Sequence, residues 1–154
     1  MNNAGVQAFE TALAEKLRAM RIESKTLEGM GTPEIGDMLR VLLPLSNSEA
    51  AITDFTVFGL EANNDLLQLY TTVVVEIGDN YDTLVKRLVQ WNASCSLGHF
   101  GIVERDRQLY HRYTVPVETN SDPEALADRA LLLLSLVREV VVRQYAEART
   151  FARG

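Results

Sequence analysis

The chain has 154 residues, of which 47% are hydrophobic and 23% are charged, and its formal net charge is -6. This balance is typical of a folded protein of about one domain, so a disordered chain is not expected. A negative surface repels nucleic-acid phosphates and anionic lipids, which excludes broad non-specific binding to either. We therefore predict a single domain over residues 1–154, with no nucleic-acid partner and no membrane partner.

Cysteine usage and the lack of a targeting segment favour a cytoplasmic location. Cys95 is the only cysteine, which excludes a disulfide within the chain and a metal site built from several thiolates. The first ten residues lack the basic start and apolar core of a secretory signal. The most apolar run, residues 131–142, is interrupted by Arg138 and Glu139 and is too short to span a bilayer.

The first half of the chain predicts one helix followed by three strands. Apolar residues recur at spacings of three and four over residues 4–20, and this period predicts an amphipathic helix with a stripe formed by Val6, Phe9, Leu13, Leu17 and Met20. Residues 21–37 form a long Gly-rich connector, with a short extended piece near 22–27. Strands are predicted over residues 38–45, 52–60 and 67–77, and their short connections indicate an antiparallel meander.

The second half predicts a helix, a hairpin and a long final helix. Asp79 or Asn80 begins the second helix and Gly98 ends it, with an apolar face of Tyr81, Leu84, Leu88, Trp91 and Cys95 widened by Val85 and Val89. Residues 100–104 and 108–117 form a hairpin. Ser121 caps the final helix, with Pro123 in its first turn and Glu124 reaching back, and this helix runs to about residue 148. The predicted fold is α+β in the order α-β-β-β-α-β-β-α, a twisted antiparallel sheet with helices packed on it.

The final helix is apolar around almost its whole circumference. Four consecutive leucines at 131–134 span about 300° around a helix axis. One stripe can face the sheet, and the rest must be covered, either by a second copy of the chain or by the first helix. We predict a homodimer, with the helix contributing Leu132, Leu134, Val137, Val141 and Tyr145.

The strands add Tyr70, Tyr110 and Arg112 as candidate contacts for a partner protein, because they share the outward parity of their strands. His99 and His111 fall in the two strands of the hairpin, where they could pair on a metal or simply pack at a sheet edge. The residue pattern contains no catalytic set, no cofactor motif and no metal site. We therefore predict a protein that is not an enzyme and that uses no cofactor.

The chain resembles two related families in its element order, length and acidic balance. The densest similarity covers residues 84–145, where the stretch 88–92 and then 97–102 is similar to a family helix that ends in Asn and runs into a Gly-aromatic strand. The resemblance is to class I type III secretion chaperones (the Tir chaperone family) and to YbjN-type proteins, known as bacterial sensory transduction regulators. It implies a usually dimeric, twisted antiparallel sheet whose apolar grooves, in the chaperones, bind an extended effector segment. Nothing in the sequence indicates a secretion system, which favours the YbjN-type proteins, although the Gly-rich connector at 28–37 departs from both.

Two functions follow as hypotheses. The first is a dimeric module that binds a protein or an extended peptide, in a chaperone or regulatory role. The second is a small-molecule sensor, or an enzyme, with its pocket between the sheet and the helices.

Overall fold

A six-stranded antiparallel sheet dominates the computed structural model, which describes residues 3–28, 37–59, 64–118 and 120–154. The order of the described elements is α1 (Asn3–Ala19), β1 (Ser24–Leu27), β2 (Met38–Pro44), β3 (Ala50–Gly59), β4 (Asn64–Val74), α2 (Tyr81–Ser94), β5 (His99–Val103), β6 (Gln108–Glu118) and α3 (Pro123–Ala148), which a short 3-10 turn follows (Arg149–Phe151). The prediction of an α+β fold is confirmed. That the whole chain is one domain stays a prediction.

The strands lie in the order β1-β2-β3-β4-β6-β5. The predicted meander is present as β2, β3 and β4, with Thr53 of β3 paired to Val41 on one side and to Thr71 on the other. The extended piece expected near residues 22–27 is β1, which pairs with β2 and raises the number of described strands from five to six. The central part of the Gly-rich connector lies outside the described residues.

The helices pack on one face of the sheet, the face on which alternate strand residues place their apolar side chains. Leu39, Phe55, Leu69 and Val115 lie on this face and pack against Phe9, Leu13 and Leu17 of α1 and the buried side of α3. At Val74 the alternation shifts by one residue, because a bulge interrupts β4. Met20 was expected on the α1 stripe, but it lies beyond the end of that helix and is 58% exposed. The core therefore occupies a single layer between the sheet and the helices.

The far side of α3 is covered by α1, which was the alternative to a second copy of the chain. Lys16 of α1 bridges Glu124 and Asp128 of α3 at 3.1 and 3.0 Å, and Val137 and Val141 are fully buried. Leu132 is the leucine of the 131–134 run that stays exposed, at 60%. One neighbouring helix thus hides most of the circumference that suggested a dimer.

Three local details of the helices differ from the predictions. Asp122 caps α3 in place of Ser121, its carboxylate accepting the Ala125 amide at 3.0 Å, while the Ser121 hydroxyl donates to the Glu118 carbonyl. Glu124 bonds Lys16 instead of reaching back to the cap. Val85 and Val89 do not widen the buried face of α2, because both are exposed and the helix buries only its narrow side around Leu84 and Trp91.

Helix α2 ends at Ser94, four residues before the predicted end, and Gly98 serves the turn into β5 instead. Gly98 has φ +68°, the left-handed region that favours glycine. A Cβ at this position would lie 2.2 Å from the carbonyl oxygen of Arg112. The glycine therefore allows β5 to begin in close contact with β6.

Candidate functional site

The face of the sheet that carries no helix presents the strongest cluster of functional candidates. We call it the open sheet face, and the outward side chains of β2 to β6 that we consider on it are Arg40, Asp54, Gln68, Tyr70, His99, Tyr110, Arg112 and Thr114. None of them belongs to the hydrophobic core. Most are half-buried, which is the degree of exposure that leaves aromatic and long polar side chains available to a partner.

Tyr70, Tyr110 and Arg112 come together at the centre of this face. Tyr70 of β4 pairs with Arg112 of β6, and Tyr110 lies diagonally across the same strand pair. The two tyrosine rings stack with centroids 4.9 Å apart and planes 22° from parallel, and the Arg112 guanidinium carbon lies 5.8 Å from the Tyr110 ring centroid. Sequence reasoning selected all three residues, and the register of β4 against β6 makes them one cluster.

Hydrogen bonds hold the cluster in place. The Tyr70 hydroxyl donates to the side-chain oxygen of Gln108 at 3.0 Å. Burial, followed by the nearby Tyr110, raises the pKa of Tyr70 to about 12, so the phenol keeps its proton. Arg112 contacts His99 at 3.4 Å between Nη2 and Nε2, and burial together with Arg112 lowers the pKa of His99. His99 is therefore a neutral acceptor.

Gly101 provides the space beneath the Tyr110 ring. Gly101 and Tyr110 are cross-strand partners, and a Cβ at Gly101 would lie 2.5 Å from the tip of that ring. An aromatic side chain opposite a strand glycine covers backbone that would otherwise face water. Sequence reasoning missed this residue, although a glycine inside a strand signals a close approach of this kind.

A separate ion pair neutralises the β2–β3 side of the open sheet face. Arg40 and Asp54 form a bidentate salt bridge, in which Nε donates to Oδ1 at 2.8 Å and Nη2 donates to Oδ2 at 2.9 Å. Asp54 is only 7% exposed. Arg112, in contrast, has no carboxylate partner among the described residues. The face thus offers one unpaired guanidinium beside two stacked aromatic rings.

The candidates on α3 do not join this cluster, because α3 packs on the opposite face of the sheet. Leu134, Val137 and Val141 are core residues of the single chain, at most 3% exposed, and leave no area for a second molecule. Tyr145 is half-buried beside a cleft of about 450 Å³ that Leu45, Val142 and Arg149 also line. Of the five residues predicted to form a dimer contact on α3, Leu132 is the exposed one.

The two histidines lie on opposite faces of the hairpin. His99 pairs with Arg112, whereas His111 pairs with Phe100, so the imidazoles cannot meet on one metal ion. His111 is fully buried, and its Nε2 donates to the Leu97 carbonyl at 2.7 Å. The Cys95 thiol donates to the same carbonyl at 3.0 Å. A histidine can activate a cysteine thiol by accepting its proton. Since His111 Nε2 already carries a proton, it cannot act in this way on Cys95.

A second polar site lies away from the open sheet face, where α1 meets the sheet edge. The Glu10 side chain is 4% exposed there, although its position off the apolar stripe predicted a solvent-facing residue. Burial, and then the negative charge of Asp37, raises the pKa of Glu10 to about 7.

We expect Glu10→Gln to stabilise the protein at high pH only. The folded state disfavours the ionised carboxylate, so the contribution of Glu10 to stability is full below its ordinary pKa of 4.5 and is lost as pH rises to about 7. Removing the charge should add up to about 3 kcal/mol at pH 8 and almost nothing at pH 4. Urea unfolding in citrate–phosphate buffer measures the free energy of unfolding of both proteins at the two pH values. The exposed Glu15→Gln on the same helix is the control, and an equal gain at the two pH values would contradict the prediction.

Comparison with known proteins identifies the family to which the chain belongs. The model of the YbjN family, described as "Putative bacterial sensory transduction regulator", matches residues 51–147, which is more than half of the chain. The chain therefore belongs to the YbjN family. The match runs from β3 through most of α3 and contains the Tyr70–Tyr110–Arg112 cluster, whereas Glu10 lies before it.

Among solved structures, the crystal structure of YbjN from E. coli, described as a putative transcription regulator, is similar to this chain at 13% sequence identity with a TM-score of 0.49. The alignment covers 90% of this chain and 92% of that one. No curated protein matches the chain. In the described part of the chain, no helix is long and apolar enough to cross a membrane.

Proposed function

We propose that this chain is a non-enzymatic, cytoplasmic regulator that acts by binding another protein on the open sheet face. The observation that carries the proposal is the stacked pair Tyr70–Tyr110 with Arg112 beside it, on the face that no helix covers. Tyrosine and arginine are enriched at the energetically important positions of protein interfaces. A tyrosine buries a large area at a small cost in side-chain entropy. The family description names a regulator rather than an enzyme, which agrees with this role.

The partner that fits this face is an extended segment with a carboxylate beside apolar side chains. The carboxylate would pair with Arg112, whose guanidinium has no acidic partner in the described chain. The apolar side chains would pack on the two tyrosine rings, of which Tyr70 is held by its hydrogen bond to Gln108 and Tyr110 stacks on Tyr70. A preorganised surface of this kind loses little side-chain entropy when a partner binds.

We expect Tyr110→Ala and Arg112→Ala each to weaken partner binding about ten- to a hundredfold, the range for central interface residues. Partner proteins can be captured from cells of the source organism with the wild-type chain and identified by mass spectrometry. The affinity of each variant is then measured for the captured protein and for its acidic segment as a peptide.

Arg105→Ala is the matched control, because Arg105 is an exposed arginine at the tip of the same hairpin. It should bind like the wild type. A captured protein that binds all three variants equally would remove the open sheet face as its docking surface, and so would capture of nothing above background.

The homodimer is a second part of the proposal, and Leu132 is its test position. Its support is the large apolar side chain of Leu132, which stays 60% exposed on a helix whose other leucines in the 131–134 run are at least half-buried. The exposed Leu132 on α3 is the apolar contact we assign to it.

We expect Leu132→Glu to shift the protein from dimer to monomer without unfolding it. A charge at an apolar contact opposes association, but at 60% exposure it remains solvated in the monomer. Light scattering at micromolar concentration measures the mass against the 17.2 kDa chain. A wild-type protein that is monomeric under these conditions would remove the dimer, and a dimeric Leu132→Glu would move the interface elsewhere.

A further inference from the structure

His99 places a side chain that can change its charge near neutral pH beside the Tyr70–Tyr110–Arg112 cluster. It lies on β5, the edge strand, and its cross-strand partner is Arg112 of β6. The His99 Nε2 lies 3.4 Å from Nη2 of Arg112, and its ring meets the Tyr110 ring edge-on, with centroids 6.1 Å apart. His99 is therefore in contact with both the guanidinium and one of the two tyrosines of the cluster.

The protonation state of His99 decides what Arg112 faces. A guanidinium only donates hydrogen bonds, so neutral His99 accepts from Arg112 through Nε2. A proton on Nε2 turns this acceptor into a second donor and sets two positive charges side by side. Within the described part of the chain, no carboxylate forms an ion pair with either residue. Burial, and then Arg112, accordingly hold the pKa of His99 below its ordinary value.

A carboxylate from outside the chain would reverse this balance. Its two oxygens can accept from Arg112 and from the protonated Nε2 of His99 together, as charge-assisted hydrogen bonds. A docked segment can approach from this side, because β5 is the last strand of the described sheet and the next residue on its outward face is Gly101. The imidazole is half-buried, so it lies within reach of such a segment.

We propose that His99 takes up a proton when a partner's carboxylate docks on Arg112, so that binding on the open sheet face tightens as the pH falls. This regulation rests on the proposed function, because it requires a partner on that face. The sign follows from linkage: a group that binds more protons in the complex than in the free chain favours the complex at lower pH. The gain is absent well above neutral pH, where His99 is neutral in both states.

The groups that surround His99 do not supply this pH dependence themselves. Arg112 and Tyr110 face it from β6, and neither type of side chain changes its charge between about pH 5.5 and 7.5. Helix α2 reaches β5 from the helix-covered side, where the uncharged Asn92 bonds the strand backbone. His111 lies on that side too, fully buried, and burial lowers its pKa. His99 is therefore the group whose titration a docked partner changes.

The test is isothermal titration of the full chain with the blocked peptide Leu-Thr-Glu-Thr-Leu, whose alternate side chains are apolar, acidic and apolar. Its affinity should rise at least about threefold from pH 7.5 to pH 5.5 at constant ionic strength, whereas the neutral Leu-Thr-Gln-Thr-Leu should show no gain. His99→Gln offers Arg112 an acceptor but cannot titrate, so it should lose the gain. Arg105→Ala, at the exposed hairpin tip, should keep it. Circular dichroism checks that both variants are folded.

Nuclear magnetic resonance of the imidazoles gives a second readout, because the chain contains only two histidines. Saturation with the acidic peptide should move the midpoint of the His99 titration to higher pH, and by more than that of the buried His111. Equal affinity at the two pH values, an unshifted His99, or a His99→Gln protein that keeps the gain would overturn the regulation and leave the docking surface in place. Failure of the acidic peptide to bind at either pH would instead remove the open sheet face as a site for such a segment, and the regulation with it.

Discussion

Val141→Glu is expected to unfold the protein, with a loss of more than about 4 kcal/mol in the free energy of unfolding. Val141 is fully buried on α3, in the cluster that joins this helix to the sheet and to α1. A carboxylate at this position would lose its hydration without gaining a cation, and the polar group would also disturb close packing. Circular dichroism and urea unfolding measure the loss.

The neighbouring Val142→Glu is the control, because Val142 is 38% exposed and a charge there can reach water. It should change the free energy of unfolding by less than about 1 kcal/mol. The pair of variants also separates the two explanations for the apolar α3. A Val141→Glu protein that stays folded but no longer dimerises would show that the residue belongs to an interface, and would contradict its place in the core of one chain.

Gly98→Ala is expected to cost at least about 2 kcal/mol of stability. Gly98 has φ +68°, where a side chain is strained by about 1–2 kcal/mol, and the new Cβ would collide with the Arg112 carbonyl oxygen. This oxygen belongs to the backbone of β6, so the strand itself must move to relieve the contact. Because Arg112 and His99 meet beside this turn, the same shift should weaken partner binding on the open sheet face.

Gly101→Ala, at a glycine inside the adjacent strand β5, is the matched comparison for Gly98→Ala. Its Cβ would meet the tip of the Tyr110 side chain, which can rotate away, so the expected cost is below about 1 kcal/mol. Urea unfolding of the two variants under the same conditions measures the loss in the free energy of unfolding for each. Equal stability of Gly98→Ala and Gly101→Ala would show that the turn before β5 does not require glycine.

Local periodicity was sufficient to predict most of the elements. The apolar spacing of Phe9, Leu13 and Leu17 predicts the buried stripe of α1, and Pro123 correctly marks the first turn of α3. The ends of elements were less predictable, since β4 stops at Val74 after a bulge and α2 stops at Ser94. These ends depend on contacts with distant parts of the chain, such as the bridge between Ile77 and Ala152, which no local pattern encodes.

The amino-acid pattern alone determined that α3 is apolar around most of its circumference and that Tyr70, Tyr110 and Arg112 point outward from their strands. Only the tertiary structure decided that α1 covers α3, because a second copy of the chain would satisfy the same pattern equally well. It also decided that the two tyrosines stack, since β4 and β6 are neighbours in space with α2 and β5 between them in sequence. The burial of Glu10 depends likewise on the approach of α1 to the sheet edge, and burial is a property of packing rather than of residue type.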